Sequence, residues 1–360
     1  MLQPTSTVSS AEAERKRALV LEATVAEAVV ARSAPTVRWL LCGRGRPVST
    51  SGADADYTVV VTADGAFVLF PDIEAPRVAA EERFEELGFE PVPFVWHEGP
   101  QRELRVLLDG AKPLEESALE NVAAPLRRHL GEEEVRRYRA AGADAAEAMV
   151  EVIGALSPGA SEAETAADMA QRLIRRGFHP PVLLVAGEAR QPVHRHPLPT
   201  RAALGRHALL AFTAERDGLH VSMTRIASFG RPPAELSALV AAVVKVDAAI
   251  LAASRPGTSI GAILDVAAEA YAAHGFPEEW RRHHQGGITG YAGRELFAIP
   301  RAATELAETC AVAWNPSITG GAKSEDTALV TADGVEVITR TPDLPELDIA
   351  GLIRPAIAEV

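Results

Sequence analysis

The sequence has few cysteines, no signal-peptide core and fewer basic than acidic residues. Its two cysteines, Cys42 and Cys310, are far apart in a chain of 360 residues, which argues against a disulfide framework and a cysteine metal site. No uninterrupted apolar run approaches a membrane span, and the N-terminal residues lack the apolar core of a signal peptide. These absences predict a cytoplasmic protein with no membrane partner.

The excess of acidic residues also limits the choice of partner. The formal net charge is −13, spread along the chain. Because phosphate groups repel such a chain, we expect no nucleic-acid partner. The composition suits an enzyme or a binder of small molecules, and 47% hydrophobic residues are enough for a large core or for two domains.

Local patterns in the first 110 residues predict an α/β unit. Apolar residues at helical spacing predict a helix over 11–31, and further helices are predicted over 73–87 and 100–108. β-branched and aromatic residues predict strands over 37–41, 57–62, 66–70 and 92–96. Residues 111–131 contain two prolines and mixed charge, and they are predicted to link two domains.

Two stretches of the remaining chain resemble each other in one register. The stretches are SPGASEAETAADMAQRLIRRGFHP, from Ser157, and RPGTSIGAILDVAAEAYAAHGFPE, from Arg255. Each predicts a long helix, a Pro-Gly break, a second helix capped by Ser161 or Ser259, and a glycine stop. A predicted hairpin follows each copy, over 208–226 and 327–339. We infer a duplicated α/β half with a pseudo-twofold axis and a cleft between the copies; the alternative is two unrelated helical hairpins.

Residues 187–225 contain the first candidate for chemistry. His194 and His196 precede the apolar strand predicted from residue 208. Residues two apart in a strand share a face, so both imidazoles could face one cleft as an acid/base pair or as metal ligands. The alternative is a polar loop in which neither histidine has a chemical role.

The duplicated halves and the motifs within them resemble, in the same order and spacing, the pita-bread family of aminopeptidase P, prolidase, methionine aminopeptidase and creatinase. Residues 187–194 resemble the segment that ends in the catalytic histidine of the family, and residues 218–225 resemble its Gly-Tyr-x-Ser-Asp-x-Thr-Arg segment. Residues 324–327 resemble its last metal-binding segment. The resemblance implies an α/β (α+β) chain with a creatinase/prolidase-like N-terminal α/β domain at 1–110 and a linker at 111–131. A C-terminal pita-bread domain with pseudo-twofold duplicated halves follows at 132–360.

The metal-binding positions of the family are mostly lost. Family peptidases hold two divalent ions with two aspartates, one histidine and two glutamates. By the resemblance, these five positions fall on Ala211, Ser222, Gly287, Asn315 and Glu325. One carboxylate cannot hold two ions, so we predict no dinuclear centre, no metal ligands and no cofactor.

Within this family, metal-independent creatinase is the precedent for chemistry without these ligands. We therefore predict a hydrolase that cleaves an amide, amidine or peptide-like C–N bond in a small amino-acid-derived substrate or short peptide. His194 and Glu325 are predicted to be catalytic. Residues of a second set are predicted to bind the substrate: His196, His283, His284, Tyr291, Arg294 and Asn315. Relatives are commonly dimers, so the resemblance also implies a homodimer.

Three alternatives stay open at this point. A catalytically inactive pita-bread scaffold that binds a peptide, a small molecule or a partner protein would also lack the metal ligands. A true Xaa-Pro metallopeptidase would contain about two equivalents of manganese, cobalt or zinc. A mononuclear metal held by His194, His196 and either His283 or His284 is the third alternative.

Overall fold

A computed structural model of the chain describes residues 9–24, 26–49 and 54–360. The chain divides into two compact units. The first comprises Met1–Glu133 together with Asp217–Leu219, and the second comprises Glu134–Arg216 and His220–Val360. The candidate site lies in the second unit, so the first is described briefly.

The first unit is built on a four-stranded sheet in the order β1-β2-β3-β4. The first three strands pair antiparallel, and β4 pairs parallel to β3. Val30, Val60 and Leu69 form a small core with Leu104 of α4. Its elements are α1 (Ser10–Thr24), β1 (Ala28–Ser33), α2 (Ala34–Leu40), β2 (Asp54–Thr62), β3 (Ala66–Pro71), α3 (Ala75–Arg77), β4 (Glu90–Phe94), α4 (Gln101–Leu108) and α5 (Glu116–Arg127).

Several predictions for this unit are wrong. The helix predicted over 11–31 ends at Thr24, because the buried β-branched residues of β1 pair with β2 instead. The strand predicted over 37–41 belongs to helix α2. Pro35 lies in the first turn of this helix, where backbone N–H groups make no hydrogen bond within the helix, so the N–H that proline lacks is not needed. Residues 73–87 form short 3₁₀, α and π segments rather than one helix. The linker over 111–131 stays a prediction, and those residues include helix α5. The strands predicted over 57–62 and 66–70 are confirmed.

The second unit contains two main sheets. One has the order β17-β7-β6-β5, and the other has the order β14-β13-β10-β8-β9. Its helices are α6 (Glu132–Gly154), α7 (Glu162–Arg175), α8 (Ala234–Ala253) and α9 (Ile260–Ala273). Its longer strands are β5 (His179–Gly187), β6 (His207–Arg216), β7 (Leu219–Ser228), β8 (Gly286–Thr289), β10 (Ala311–Trp314), β13 (Asp326–Thr331) and β14 (Gly334–Val337). The shorter ones are β9 (Leu296–Phe297), β11 (Ser317–Ile318), β12 (Ala322–Lys323), β15 (Glu346–Ile349), β16 (Leu352–Pro355) and β17 (Ala358–Glu359).

The two halves of this unit repeat one arrangement. In each half a helix pair, α6–α7 or α8–α9, precedes a set of strands. Ser161 caps α7 through the predicted capping box with Glu164, and Ser259 caps α9. Gly177 and Gly275 follow the second helix of each pair with φ of 81° and 89°, a conformation that favours glycine. The predicted repeat of helix pair, serine cap and glycine stop is therefore confirmed.

Helix α8 is long and apolar, although Lys245 and Asp247 interrupt its apolar residues. Its most apolar 18-residue window has a mean hydropathy of 2.1, so by length and composition alone it could cross a membrane. Half of that window is buried within the protein, where Val240, Val243 and Ile250 join the core of the second unit. Core packing therefore accounts for its apolar character.

A buried ionic network connects four elements of the second unit. The guanidinium of Arg354, in β16, lies 2.6 Å from Asp247 of α8 and 2.6 Å from Asp326 of β13. Arg225 of β7 lies 2.9 Å from the other oxygen of Asp326. The hydroxyl of Thr339 also donates to Asp326, at 2.7 Å. Because these charges are fully paired, their burial does not leave an isolated ion in the core.

Arg354→Met should destabilise the second unit strongly, because it leaves Asp247 buried without a cation. We expect a loss of about 3–5 kcal/mol, measured as a lowered urea midpoint by circular dichroism. Arg139→Met is the matched control, because Arg139 pairs with Glu336 at 2.7 Å on the exposed surface. That change should cost at most about 1 kcal/mol. Equal losses in the two variants would contradict this account.

Candidate functional site

A cavity of about 520 Å³ lies among the sheets and loops of the second unit. Its apolar wall includes Val182 and Leu184 of β5 and Phe212 of β6. The polar lining residues come from separate loops and strands: His196, Thr213, His220, His284, Arg294, Asn315, Lys323 and Glu325. A concave site with an apolar wall and a few converging polar groups is typical of small-molecule binding.

Glu325 is the centre of the polar wall. One of its carboxylate oxygens accepts a hydrogen bond from Arg294 Nη2 at 3.1 Å. The other lies 2.9 Å from Lys323 Nζ and accepts a hydrogen bond from the hydroxyl of Thr224 at 2.8 Å. Burial by itself raises the pKa of Glu325, but the charges of Lys323 and Arg294 lower it to about 2. The carboxylate is therefore ionised at neutral pH and held between two cations.

The residues at the five metal-binding positions do not fit a dinuclear centre. Ala211 contributes no ligand atom, and the hydroxyl of Ser222 is hydrogen-bonded to Thr213 at 2.8 Å and to Arg294 at 3.3 Å. Glu325 is the one carboxylate of the five, and two cations already flank it. Two divalent ions beside Lys323 and Arg294 would face strong charge repulsion with a single anionic ligand to offset it.

A third position, Gly287, excludes a side chain altogether. Its φ is +154°, and a Cβ added there would lie 2.0 Å from the carbonyl oxygen of Leu296. Strand β8 therefore lies so close to β9 at Gly287 that only glycine, which has no Cβ, fits there. A histidine at residue 287 is therefore incompatible with the present backbone, which further argues against the dinuclear centre.

Asn315 is the fourth position, and it carries a side-chain oxygen with no hydrogen-bond partner among the described residues. The residue follows β10 and is 2% exposed. Its side-chain oxygen Oδ1 is buried and has no hydrogen-bond partner among the described residues, and the same holds for Nε of Arg294. A buried polar atom left unpaired costs about 1–3 kcal/mol. Both atoms belong to cavity-lining residues, so a ligand with complementary groups could pair with them.

Three histidines form a cluster at one side of the cavity. Nε2 of His283 lies 3.0 Å from Nε2 of His196, and the imidazole ring of His284 lies 4.4 Å from that of His283, centroid to centroid. His284 also contacts Phe297 edge to face. His196 comes from the loop between β5 and β6, whereas His283 and His284 precede β8. The tertiary fold therefore assembles the cluster from two distant segments.

Burial and nearby cations keep these imidazoles neutral. Burial, followed by the charge of Lys323, lowers the pKa of His283 to about 2. Burial and the charge of Arg294 lower the pKa of His284 to about 4, and burial with Lys323 also lowers the pKa of His196. Neutral imidazoles can accept protons or bind metal ions at neutral pH.

The structure brings together most, but not all, of the residues predicted from the sequence. His196, His284, Arg294, Asn315 and Glu325 line the cavity, and His283 contacts His196.

His194 and Tyr291 do not line this cavity. His194 is exposed and lines a separate pocket of about 70 Å³ near Ser317 and Thr319. The loop after β5 contains turns rather than a strand, so the expectation that His194 and His196 share a face does not apply. Tyr291 is 2% exposed, and its hydroxyl donates to Glu134 at 2.8 Å, which indicates a structural role.

Lys323 is the main site residue that sequence reasoning missed. A signal was present, because Lys323 and Glu325 are two residues apart in an extended segment and therefore share a face. Ser222 and Thr224 of β7 follow the same rule, and both contact the polar wall. Alternation therefore indicates that Lys323 shares a face with Glu325 and that Ser222 shares a face with Thr224, whereas the meeting of the two pairs depends on the fold.

The two helix pairs and their sheets define a chain with the prolidase-like pita-bread fold. The sequence profile of the metallopeptidase family M24 matches residues 136–332, so the chain belongs to that family. No curated protein matches the chain.

Solved structures share this fold over almost the whole chain. The dipeptidase PepE from Mycobacterium ulcerans has a TM-score of 0.75 at 20% identity, covering 99% of this chain and 100% of its own. The prolidase from Pyrococcus horikoshii OT3 has a TM-score of 0.73 at 19% identity, covering 92% and 98%. The N-terminal domain of the FACT complex subunit SPT16 from chickpea has a TM-score of 0.67 at 11% identity, covering 93% and 97%. At these identities the likeness establishes the fold.

Gly287→Ala should destabilise the protein by about 1–3 kcal/mol or more, because alanine at this φ is strained and its Cβ would meet Leu296. The measurement is the thermal midpoint by circular dichroism. Gly154→Ala is the matched control, because Gly154 ends helix α6 and a Cβ there meets nothing within 4 Å. That variant should be neutral or slightly stabilised. Similar midpoints for both variants would show that residue 287 tolerates a side chain.

Proposed function

We propose that the chain is a metal-independent hydrolase of an amide, amidine or peptide-like C–N bond in a small amino-acid-derived substrate. The observation that carries the proposal is the pairing of Glu325 with both Lys323 and Arg294. Two fixed cations lie beside the carboxylate that the family resemblance assigns to metal binding. They supply positive charge to the cavity without a metal ion, and such preorganised charge is an effective way to stabilise a developing anion.

The unpaired atoms of the cavity suggest how a substrate binds. Nε of Arg294 offers a donor to a carboxylate, and Oδ1 of Asn315 offers an acceptor to an amide or amidine N–H. Lys323 adds a second cation for the same carboxylate. A substrate derived from an amino acid carries both kinds of group, and the apolar wall accommodates its carbon skeleton.

In this proposal His196 moves the proton in place of His194. His196 lines the cavity and contacts a second histidine, His283, at 3.0 Å. It accepts a proton from a water molecule as the water oxygen attacks the carbon of the C–N bond. The same proton then passes to the leaving nitrogen as that bond breaks, so that an amine and an oxygen-containing product are released. Lys323 and Arg294 stabilise the negative charge that develops during the attack.

His196→Ala should abolish most turnover, whereas His194→Ala should retain it. The assay uses chelator-treated protein and a panel of dipeptides, N-acyl amino acids and creatine-like amidines. Loss of a positioned proton acceptor typically lowers kcat/KM by about 10²–10⁴-fold. Loss of activity in His194→Ala with full activity in His196→Ala would restore the sequence-based assignment. Loss of wild-type activity on chelation, with recovery on adding manganese, cobalt or zinc, would instead support a metallopeptidase.

Lys323→Met should weaken binding of substrates that carry a free carboxylate. Charged hydrogen bonds contribute about 1.5–3 kcal/mol, so KM should rise by about 10- to 100-fold. The same substrate with its carboxylate capped as an amide should bind wild type and variant equally. Lys245→Met is the control, because Lys245 lies exposed on α8 and outside the cavity. An equal loss for free and capped substrates would show that Lys323 does not contact the carboxylate.

A second candidate function is binding without catalysis. The apolar wall and the unpaired atoms of Asn315 and Arg294 would hold a peptide or small molecule in either case. The substrate panel separates the two functions, because a binding scaffold would show saturable binding by calorimetry with no products. The proton-accepting position of His196 favours hydrolysis.

The remaining parts of the proposal rest on composition and on the family resemblance. We infer a cytoplasmic homodimer that acts on a small molecule or short peptide and has no nucleic-acid or membrane partner. Sedimentation of the full chain measures the oligomeric state directly.

A further inference from the structure

We infer that His196, His283 and His284 form a mononuclear binding site for a late first-row transition metal such as Zn²⁺. The site is distinct from the five positions of the dinuclear centre, and it goes beyond the hydrolytic function proposed above. The inference starts from proximity, because the candidate ligand nitrogens of the three histidines all lie within 4.8 Å of one another.

The distances are close to those that tetrahedral coordination requires. Zinc binds imidazole nitrogen at about 2.0–2.1 Å, so two ligands of one tetrahedral ion lie about 3.3 Å apart. The Nε2 atoms of His196 and His283 are already 3.0 Å apart. A ring movement on the order of 1 Å or slightly more would bring the third ligand within range. His196 and His284 are exposed enough to allow it.

A hydrogen bond outside the ligand set orients the most buried of the three rings. Nδ1 of His283 lies 3.2 Å from the hydroxyl oxygen of Ser317. Arg195 Nη1 donates to that same oxygen at 2.6 Å, and the second lone pair of the hydroxyl accepts Nδ1–H of His283 in the tautomer that binds a metal. In this tautomer the lone pair of His283 Nε2 faces His196. Metal-binding histidines are commonly oriented by such a bond to the second ring nitrogen.

An ion pair also joins the two loops that carry the histidines. The Arg195 guanidinium, next to His196, pairs with Glu279, which precedes His283 by four residues. Thr319 donates to the same carboxylate through its backbone N–H at 3.0 Å. These contacts join the two loops close to the cluster. They therefore hold the three imidazole rings near one another even without contacts between the rings themselves.

The donor set determines which ion would bind. Three neutral imidazoles suit zinc, copper and nickel, whereas magnesium, calcium and manganese prefer oxygen ligands. Lys323 and Arg294 repel a cation at the cluster, and the carboxylate of Glu325, which pairs with both, offsets part of that repulsion. A fourth coordination position would face the cavity and remain open to water or to a ligand group.

Metal at this cluster should inhibit the proposed hydrolysis. The ion would take the lone pair of His196, which the proposed mechanism uses as proton acceptor. It would also narrow the cavity, because His196 and His284 line it. This effect on turnover rests on the proposed function, whereas metal binding itself does not.

The test is a titration of the full chain with Co²⁺, followed by displacement with Zn²⁺. Tetrahedral Co²⁺ absorbs visible light much more strongly than the hydrated ion, so the spectrum reports coordination without any activity assay. We expect one equivalent to bind wild type. Loss of a group that merely orients a ligand lowers metal affinity by about 10- to 100-fold, so His283→Ala should lose at least about 100-fold.

Two further variants test whether the loss of affinity is specific to the three histidines. His284→Gln removes a ligand from an exposed position and should also lose at least about 100-fold in affinity. His194→Ala is the matched control, because it removes an exposed histidine of the same loop and should bind as wild type does. Circular dichroism checks that each variant is folded. The inference is overturned if wild type binds no Co²⁺ in tetrahedral form, or if both ligand variants retain wild-type affinity.

The effect of zinc on turnover separates this inference from the proposed function. If zinc binds the cluster and inhibits, both proposals are supported. If zinc binds and turnover requires it, the metal site stands and metal-independent hydrolysis is wrong. If zinc does not bind but chelated protein turns over substrate, the proposed function stands and the metal site is wrong.

Discussion

Two adjacent buried carboxylates, Glu325 and Asp326, join the cavity to the core of the second unit. Because side chains alternate along an extended segment, Glu325 faces the cations of the cavity while Asp326 faces Arg225 and Arg354. Thr224 and Arg225 of β7 meet them in the same alternation. The position of the cavity charge therefore depends on a fully paired network behind it. Burial of these ions is tolerable because each has a partner of opposite charge.

The arrangement gives this member of the M24 family an ordered polar wall at Glu325. Where two ions would require several anionic ligands, the chain presents two cations and one carboxylate. Ser222 and Thr213 fill space near Arg294 with neutral hydroxyls. Gly287 contributes a close backbone approach instead of an imidazole.

The sequence predicted the fold of the second unit better than that of the first. Helix pairs with serine caps and glycine stops are local signals, and the two copies supported each other. In the first unit, short apolar segments have similar composition in helices and strands. The sequence pattern therefore predicts a strand at 37–41 where the structure has helix α2, and it extends the first predicted helix into the residues of β1. Pairing with neighbouring strands decides such cases, and that information is not local.

For the candidate site, the sequence alone determined its residue types: the loss of carboxylates at residues 211 and 222, the retention of Glu325, and the presence of several histidines. Only the tertiary structure decided which of them meet. His194 and His196 are indistinguishable by composition, and the irregular loop that carries them allows no rule of alternation. The approach of His196 to His283, and of Arg294 to Glu325, depends on contacts between segments far apart in the chain, whereas Lys323 lies only two residues from Glu325. Local sequence patterns report neighbours along the chain, whereas charge pairing and side-chain clustering follow from packing in three dimensions.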